Sequence, residues 1–94
     1  MQDKVLDEIK KIAMKYKVQK AILFGSRARK DQSSVSDYDI AIIAESLSSF
    51  DKASFYADVE EIETLKKIDI VFINNSTNDE LMKNIMKDGV VIYE

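Results

Sequence analysis

The stretches AILFGS, at residues 21–26, and SDYDIAII, at residues 36–43, decide the fold of this chain. The apolar run in the first stretch predicts a short buried strand, and Gly25 ends it with the backbone freedom that a tight turn requires. In the second stretch the period of two along a strand places Asp37 and Asp39 on one face. The sequence therefore predicts two strands that bring a tight turn and two carboxylates together.

The turn after the first predicted strand has the features of a phosphate site. Ser26 is predicted to open a short helical turn, whose free backbone N–H groups and dipole favour an anion, and its hydroxyl can add a hydrogen bond. Arg27, Arg29 and Lys30 supply positive charge beside it. We therefore expect this turn to bind phosphate groups.

The two neighbouring carboxylates require a proton or a cation between them. Two unit charges about 4 Å apart repel by roughly 4 kcal/mol at an effective dielectric constant near 20, so either one Asp is protonated or a metal is bound. The chain has no His and no Cys, and Mg²⁺ is the cation that fits carboxylates combined with substrate phosphates. The sequence therefore points to magnesium.

A third carboxylate, Asp69, is the only charged residue in the apolar run 68–73. A carboxylate in such a strand needs a partner. It could lie at an exposed strand end and pair with Lys66 or Lys67, or it could join Asp37 and Asp39. Taken together with those two residues, the second interpretation is favoured.

The rest of the chain is predicted to form three helices and two further strands around one modest core. The predicted helices cover residues 3–17, 51–66 and 77–88, with Ser48 or Ser49 capping the second, and the predicted strands cover residues 68–73 and 90–93. The residues expected to be buried on the second and third helices are Phe55, Val59, Ile62, Leu65, Leu81, Ile85 and Met86. This order predicts an α/β fold with one mixed β-sheet of about four strands.

Composition excludes several classes of protein. Without His a Ser-His-Asp hydrolase is impossible, and without Cys there are no disulfides or thiolate metal sites. With Gly25 and Gly89 as the only glycines, neither a P-loop nor a dinucleotide-binding loop can form. A net charge of −3 argues against a dedicated nucleic-acid binder, and no apolar run approaches the roughly 18 residues of a membrane span. The start of the chain has no signal-peptide character, so a cytoplasmic location is expected.

The Gly25-Ser26 turn, the pair Asp37-x-Asp39 and the later Asp69 resemble the signature of the nucleotidyltransferases of the DNA polymerase beta superfamily. The likeness is to the minimal nucleotidyltransferases, or MNT proteins, and it covers essentially the whole chain, which it makes a single domain of residues 1–94. It implies the nucleotidyltransferase fold. It departs at Lys30, where the family often has Gly.

This resemblance implies Mg²⁺-dependent transfer of AMP from ATP to a hydroxyl group, with pyrophosphate leaving. In the family the two carboxylates at the positions of Asp37 and Asp39 chelate two metal ions, and the one at Asp69 completes the site and helps to deprotonate the acceptor. The residues that would bind the nucleotide are Gly25, Ser26, Arg27 and Arg29.

The resemblance also implies a protein partner. MNT proteins are commonly paired with HEPN-type ribonuclease toxins, and some neutralise the toxin by adding AMP to one of its tyrosines. A chain this small lacks a second domain to grip a base or an acceptor, so we expect a partner to complete the pocket, in a homo- or hetero-oligomer. The alternative is a non-catalytic antitoxin that masks its partner by contact. Retention of three carboxylates favours the enzyme.

Overall fold

The computed structural model describes residues 3–25, 38–45, 47–73 and 79–94, without the side chains of Asp79 and Asp88. Within that part the elements are α1 (Lys4–Lys15), β1 (Lys20–Phe24), β2 (Tyr38–Ile43), α2 (Ser49–Glu60), β3 (Ile68–Ile73), α3 (Asp79–Asp88) and β4 (Val90–Tyr93). None of the described helices is long and apolar enough to cross a membrane.

The strands form one mixed sheet in the order β3-β2-β1-β4. β1 is antiparallel to both of its neighbours, and β2 is parallel to β3, with α2 making the connection between them. The predicted α/β fold with one mixed sheet of about four strands is confirmed.

The sheet has helices on both faces. One face, which we call the α1α2 face, is formed by Tyr38, Ile40 and Ile42 of β2 and packs against α1 and α2. The opposite face, called the α3 face, packs against Ile85 and its neighbours on α3. Successive residues of a strand point to opposite faces, so each position of β2 and β3 belongs to one of these two environments.

Two helices are shorter than predicted. α1 ends at Lys15 because Lys17 adopts a left-handed conformation, with φ 55°, and the Val18 N–H donates to the carbonyl of Ala13 at 3.1 Å, which closes the helix. α2 ends at Glu60, six residues before the predicted end, where Ile62 N donates to the carbonyl of Val59 at 3.1 Å in a tightened last turn. The residues that follow α2 are used to reach β3.

Two residues expected in the core are exposed, for different reasons. Leu65 falls in the connection after α2 and is fully exposed. Met86 is also exposed, because α3 turns the stripe of Met82 and Ile85, which are three residues apart, toward the sheet. Phe55, Val59 and Ile85 are buried as predicted, while residues 77 and 78 of the predicted capping box lie outside the described part of the chain.

Candidate active site

Asp39 and Asp69 lie side by side at the beginning of two parallel strands. Asp39 is the second residue of β2 and Asp69 the second residue of β3, and the strand register pairs them directly. Adjacent strands are about 4.8 Å apart, so both side chains project from the α3 face at neighbouring positions. α3 packs on later residues of the same strands, among them Ala41 and Ile73. Both carboxylates are therefore only partly buried, with 43% of the Asp69 side chain exposed.

Gly25 lies against the carboxylate of Asp39. It follows β1, whose last residue Phe24 pairs with Asp39, and it has a positive φ of 77°. A Cβ atom at this position would lie 2.5 Å from Oδ2 and 3.3 Å from Cγ of Asp39. Both the backbone conformation and the close approach require glycine. The sequence indicated that Gly25 permits a tight turn, but it did not reveal that the missing side chain makes room for a carboxylate.

Asp69 also has a cationic neighbour. The Lys67 Nζ atom is 3.6 Å from Asp69 Oδ1, and the Lys67 side chain is 70% exposed. This distance exceeds the 2.7–2.9 Å of a charge-assisted hydrogen bond, and exposed ion pairs contribute little to stability. Asp69 therefore pairs with Lys67, as one interpretation of the sequence allowed, and it also lies beside Asp39. The other carboxylate of the predicted cluster, Asp37, is outside the described residues.

The remaining predicted site residues lie outside the described part of the chain. They are Ser26, Arg27, Arg29 and Asp37. Their roles stay predictions.

The donor atoms at the paired carboxylates fit a hard cation. Within the described residues no group of three or more metal-ligating side chains occurs, and the third predicted carboxylate, Asp37, is not among those residues. Asp39 and Asp69 offer oxygen ligands only, and the chain has neither His nor Cys to favour a softer ion. Such a donor set suits Mg²⁺ shared with substrate phosphates.

A buried hydrogen bond holds the strand that carries Asp39. Tyr38 is 4% exposed, and its hydroxyl donates to Asp3 Oδ2 at 2.7 Å. The other oxygen of Asp3 caps α1 by accepting from the N–H of Val5 at 2.9 Å. The start of β2 is therefore tied to the start of α1. A signal for this contact in the sequence is Tyr38 itself, because a tyrosine hydroxyl that is buried needs a hydrogen-bond partner.

A second polar cluster joins α1 to α2 on the far side of the sheet. Asp58 Oδ2 accepts from Lys15 Nζ and from the Tyr16 hydroxyl, both at 2.9 Å. The hydrogen bonds from Lys15 and Tyr16 hold the pKa of Asp58 below its usual value, while burial, with the bond to Asp58, raises the pKa of Tyr16. An open groove of about 340 Å³ lies beside this cluster and does not include Asp39 or Asp69. The cluster is structural.

The amino-acid sequence identifies the family to which the chain belongs. The family model described as Polymerase beta, Nucleotidyltransferase matches residues 7–94. The chain belongs to this family and is a nucleotidyltransferase. No curated protein is significantly similar to the chain in sequence.

Solved structures show the same fold. The chain superimposes with a TM-score of 0.69 and 22% identity on a chain from a complex of a tri-AMPylated Shewanella oneidensis HEPN toxin with an MNT antitoxin, covering 98% of this chain and 71% of that one. A toxin–antitoxin structure with AMP-PNP gives a TM-score of 0.68 at 24% identity, covering 93% and 71%. A Sulfolobus solfataricus protein classed as a nucleotidyltransferase gives 0.59 at 23% identity, covering 94% and 78%. At these identities the likeness establishes the nucleotidyltransferase fold.

Proposed function

We propose that this chain transfers AMP from ATP to a tyrosine hydroxyl of a HEPN-type ribonuclease toxin and thereby acts as its antitoxin. The observation that carries the proposal is the placement of Asp39 and Asp69 side by side on the α3 face, next to the turn at Gly25. The similar structures support the choice of nucleotide and acceptor, since one contains AMP-PNP and another contains an AMPylated HEPN toxin bound to an MNT antitoxin. Residues 1–94 form the catalytic domain.

The carboxylates have separate roles in this reaction. Asp37, Asp39 and Asp69 would hold Mg²⁺, two ions in all, and Asp69 also accepts the proton of the acceptor hydroxyl. When bound, Mg²⁺ would neutralise negative charge on the transferring phosphoryl group. A bond forms between the acceptor oxygen and the α-phosphorus, the bond from that phosphorus to the β-phosphate oxygen breaks, and pyrophosphate leaves.

The turn after β1 binds the nucleotide. Gly25 and Ser26 hold the terminal phosphates through backbone N–H groups and the serine hydroxyl. Arg27 and Arg29 neutralise the phosphate charge, for which the planar guanidinium group is well suited.

The openness of the site supports a requirement for a partner. Asp69 is 43% exposed, and α3 covers later parts of the strands that carry the two carboxylates. Binding sites are normally concave and largely buried, and the described residues leave Asp69 partly exposed, so a bound protein that covers the α3 face beside these carboxylates would add a wall to the site.

The test is a transfer assay with a HEPN-type ribonuclease as acceptor. With Mg²⁺ and ATP labelled at the α-phosphate, we expect label on a tyrosine of the ribonuclease and loss of its activity. Chelation of Mg²⁺ or the substitution Asp39→Asn should abolish labelling, whereas Glu60→Gln, at an exposed surface carboxylate, should not. Inhibition of the ribonuclease without labelling would instead indicate an antitoxin that acts by contact. If the ribonuclease is neither labelled nor inhibited, the proposal is refuted.

A further inference from the structure

We infer that Lys67 is a resident counter-ion of Asp69, which a divalent cation displaces and which then binds a phosphate group of the nucleotide. The inference rests on the proposed function, because it assigns a role in nucleotide binding to a residue outside the predicted set. It names a fourth cationic side chain at the site, in addition to the predicted Arg27, Arg29 and Lys30.

The position of Lys67 is determined by the sheet. It immediately precedes β3, and its carbonyl accepts from the N–H of Tyr38 at 2.9 Å, so its backbone is joined to the start of β2. Its ammonium group extends to the carboxylate of Asp69, two residues later, with 3.6 Å between Nζ and Oδ1. Lys67 therefore reaches the same end of the sheet as the paired carboxylates.

The ammonium group and a metal ion compete for the same carboxylate. A Mg²⁺ ion lies about 2.0–2.1 Å from its oxygen ligands. Adding that to the 3.6 Å between Nζ and Oδ1 places an ion on Oδ1 at most about 5.7 Å from the present position of the ammonium group. Like charges at this separation repel, so each cation weakens the binding of the other.

The displaced side chain remains available to an anion. Lys67 is 70% exposed, and among the described residues its ion pair with Asp69 is long, so little of that pair is lost when its flexible stem moves. A nucleotide held at Asp39 and Asp69 brings phosphate oxygens within the reach of that stem, and lysine is a common point-charge ligand of phosphate. Lys67 should therefore weaken the binding of the metal ion alone and strengthen the binding of the nucleotide together with the metal ion.

Two affinities measured on the same variant test this inference. Lys67→Met removes the charge and keeps the length of the side chain. We expect Mn²⁺ alone, followed by electron paramagnetic resonance, to bind about threefold to tenfold more tightly, and AMP-PNP with Mg²⁺, followed by calorimetry, to bind about threefold to tenfold more weakly. Lys67→Arg should restore the affinity for AMP-PNP.

Lys66→Met is the matched control, because it removes the same charge one residue earlier in the chain. Opposite changes in the two affinities for Lys67→Met, with smaller changes for Lys66→Met, support the inference. Equal effects of the two substitutions, or a change in only one affinity, overturn it. If the wild type binds AMP-PNP and Lys67→Met has the same two affinities as the wild type, this inference alone is refuted. If the wild type binds neither Mn²⁺ nor AMP-PNP, the inference is refuted together with the proposed function.

Discussion

A cluster of fourteen buried residues joins the α1α2 face of the sheet to helices α1 and α2, whereas the cluster that joins the α3 face to helix α3 has four buried residues. These counts refer to the described residues, and they place most of the hydrophobic stabilisation on the first face. Asp39 and Asp69 lie on the second. The molecule therefore separates the packing that holds the strands from the surface that carries the predicted site.

This separation follows from the alternation along β2. Tyr38 and Ile40 point into the α1α2 face and are almost fully buried, while Asp39 between them points to the α3 face. A carboxylate on the densely packed face would lose its hydration without a guaranteed partner. On the α3 face Asp39 is only partly buried.

The largest effect, a loss of transfer activity, is expected from a substitution at the paired carboxylates Asp39 and Asp69. Asp39→Asn should lower transfer by about 10³–10⁴-fold, which is about 4–5.5 kcal/mol at 1.36 kcal/mol per tenfold, because the charge that holds the metal is lost. Without metal the variant should be at least as stable as the wild type, since repulsion from Asp69 is relieved. Mg²⁺ with ATP should raise the melting temperature of the wild type and not that of the variant. A variant destabilised equally in every buffer, with intact transfer, would show that Asp39 belongs to the packing.

The reverse result is expected on the α1α2 face. Phe55 is fully buried and contacts the rings of Tyr16 and Phe72 with centroids 5.5 Å apart in both cases. Phe55→Ala should lower the free energy of unfolding by about 3–5 kcal/mol and leave transfer per folded molecule unchanged. Phe50→Ala, at a 78% exposed residue of the same helix, should change the free energy of unfolding by less than about 0.5 kcal/mol. Urea unfolding measures both, and similar losses for the two variants would contradict the assignment of the core.

Gly25→Ala should damage the site more than the fold. The positive φ of 77° costs a residue with a Cβ about 1–3 kcal/mol, and the Cβ would force the Asp39 carboxylate to move. We expect transfer to fall about tenfold to a hundredfold beyond the loss of folded protein. If the substitution acts through Asp39, then adding it to Asp39→Asn should lower transfer no further. Additive losses would show that Gly25 acts independently of that carboxylate.

Tyr38→Phe tests the hydrogen bond that ties the start of β2 to the start of α1. Loss of its hydroxyl removes the 2.7 Å bond to Asp3 and should cost about 1 kcal/mol of unfolding free energy. A double-mutant cycle with Asp3→Ala separates this bond from the capping of α1. A coupling energy near zero would mean that the bond does not hold β2 in place.

The smallest effect is expected from pH at the Lys15–Tyr16–Asp58 cluster. The folded-state pKa of Asp58 is lowered by the hydrogen bonds from Lys15 and Tyr16, so its stabilising contribution is present above the unfolded-state pKa of about 3.9. That contribution is lost as the pH falls through the lower folded-state value. Urea unfolding between about pH 2 and 7 should show Asp58→Asn less stable than the wild type at neutral pH, with the difference disappearing in acid. A difference independent of pH would remove the charge of Asp58 from the explanation.

Alternation and helical periodicity predicted much of the fold. The bounds of β3 and β4, the burial of Phe55 and Ile85, and the mixed sheet were all predicted correctly, because they depend on which residues are apolar and at what spacing. The predicted burial of Leu65 was wrong because the end of a helix depends on where the chain must turn toward its next strand. Local periodicity does not contain that information.

For the site, the chemical types of the residues could be read from the sequence: Gly25 at a strand end and the carboxylates of Asp39 and Asp69. The roles of Ser26, Arg27, Arg29 and Asp37 stay predictions. Three contacts required the folded chain: Asp39 and Asp69 are direct neighbours in a parallel pair, Gly25 leaves space for Asp39, and Lys67 reaches Asp69. Side-chain chemistry is encoded residue by residue, but neighbours across a sheet are set by strand order and register, which arise from burying two faces of the sheet at once.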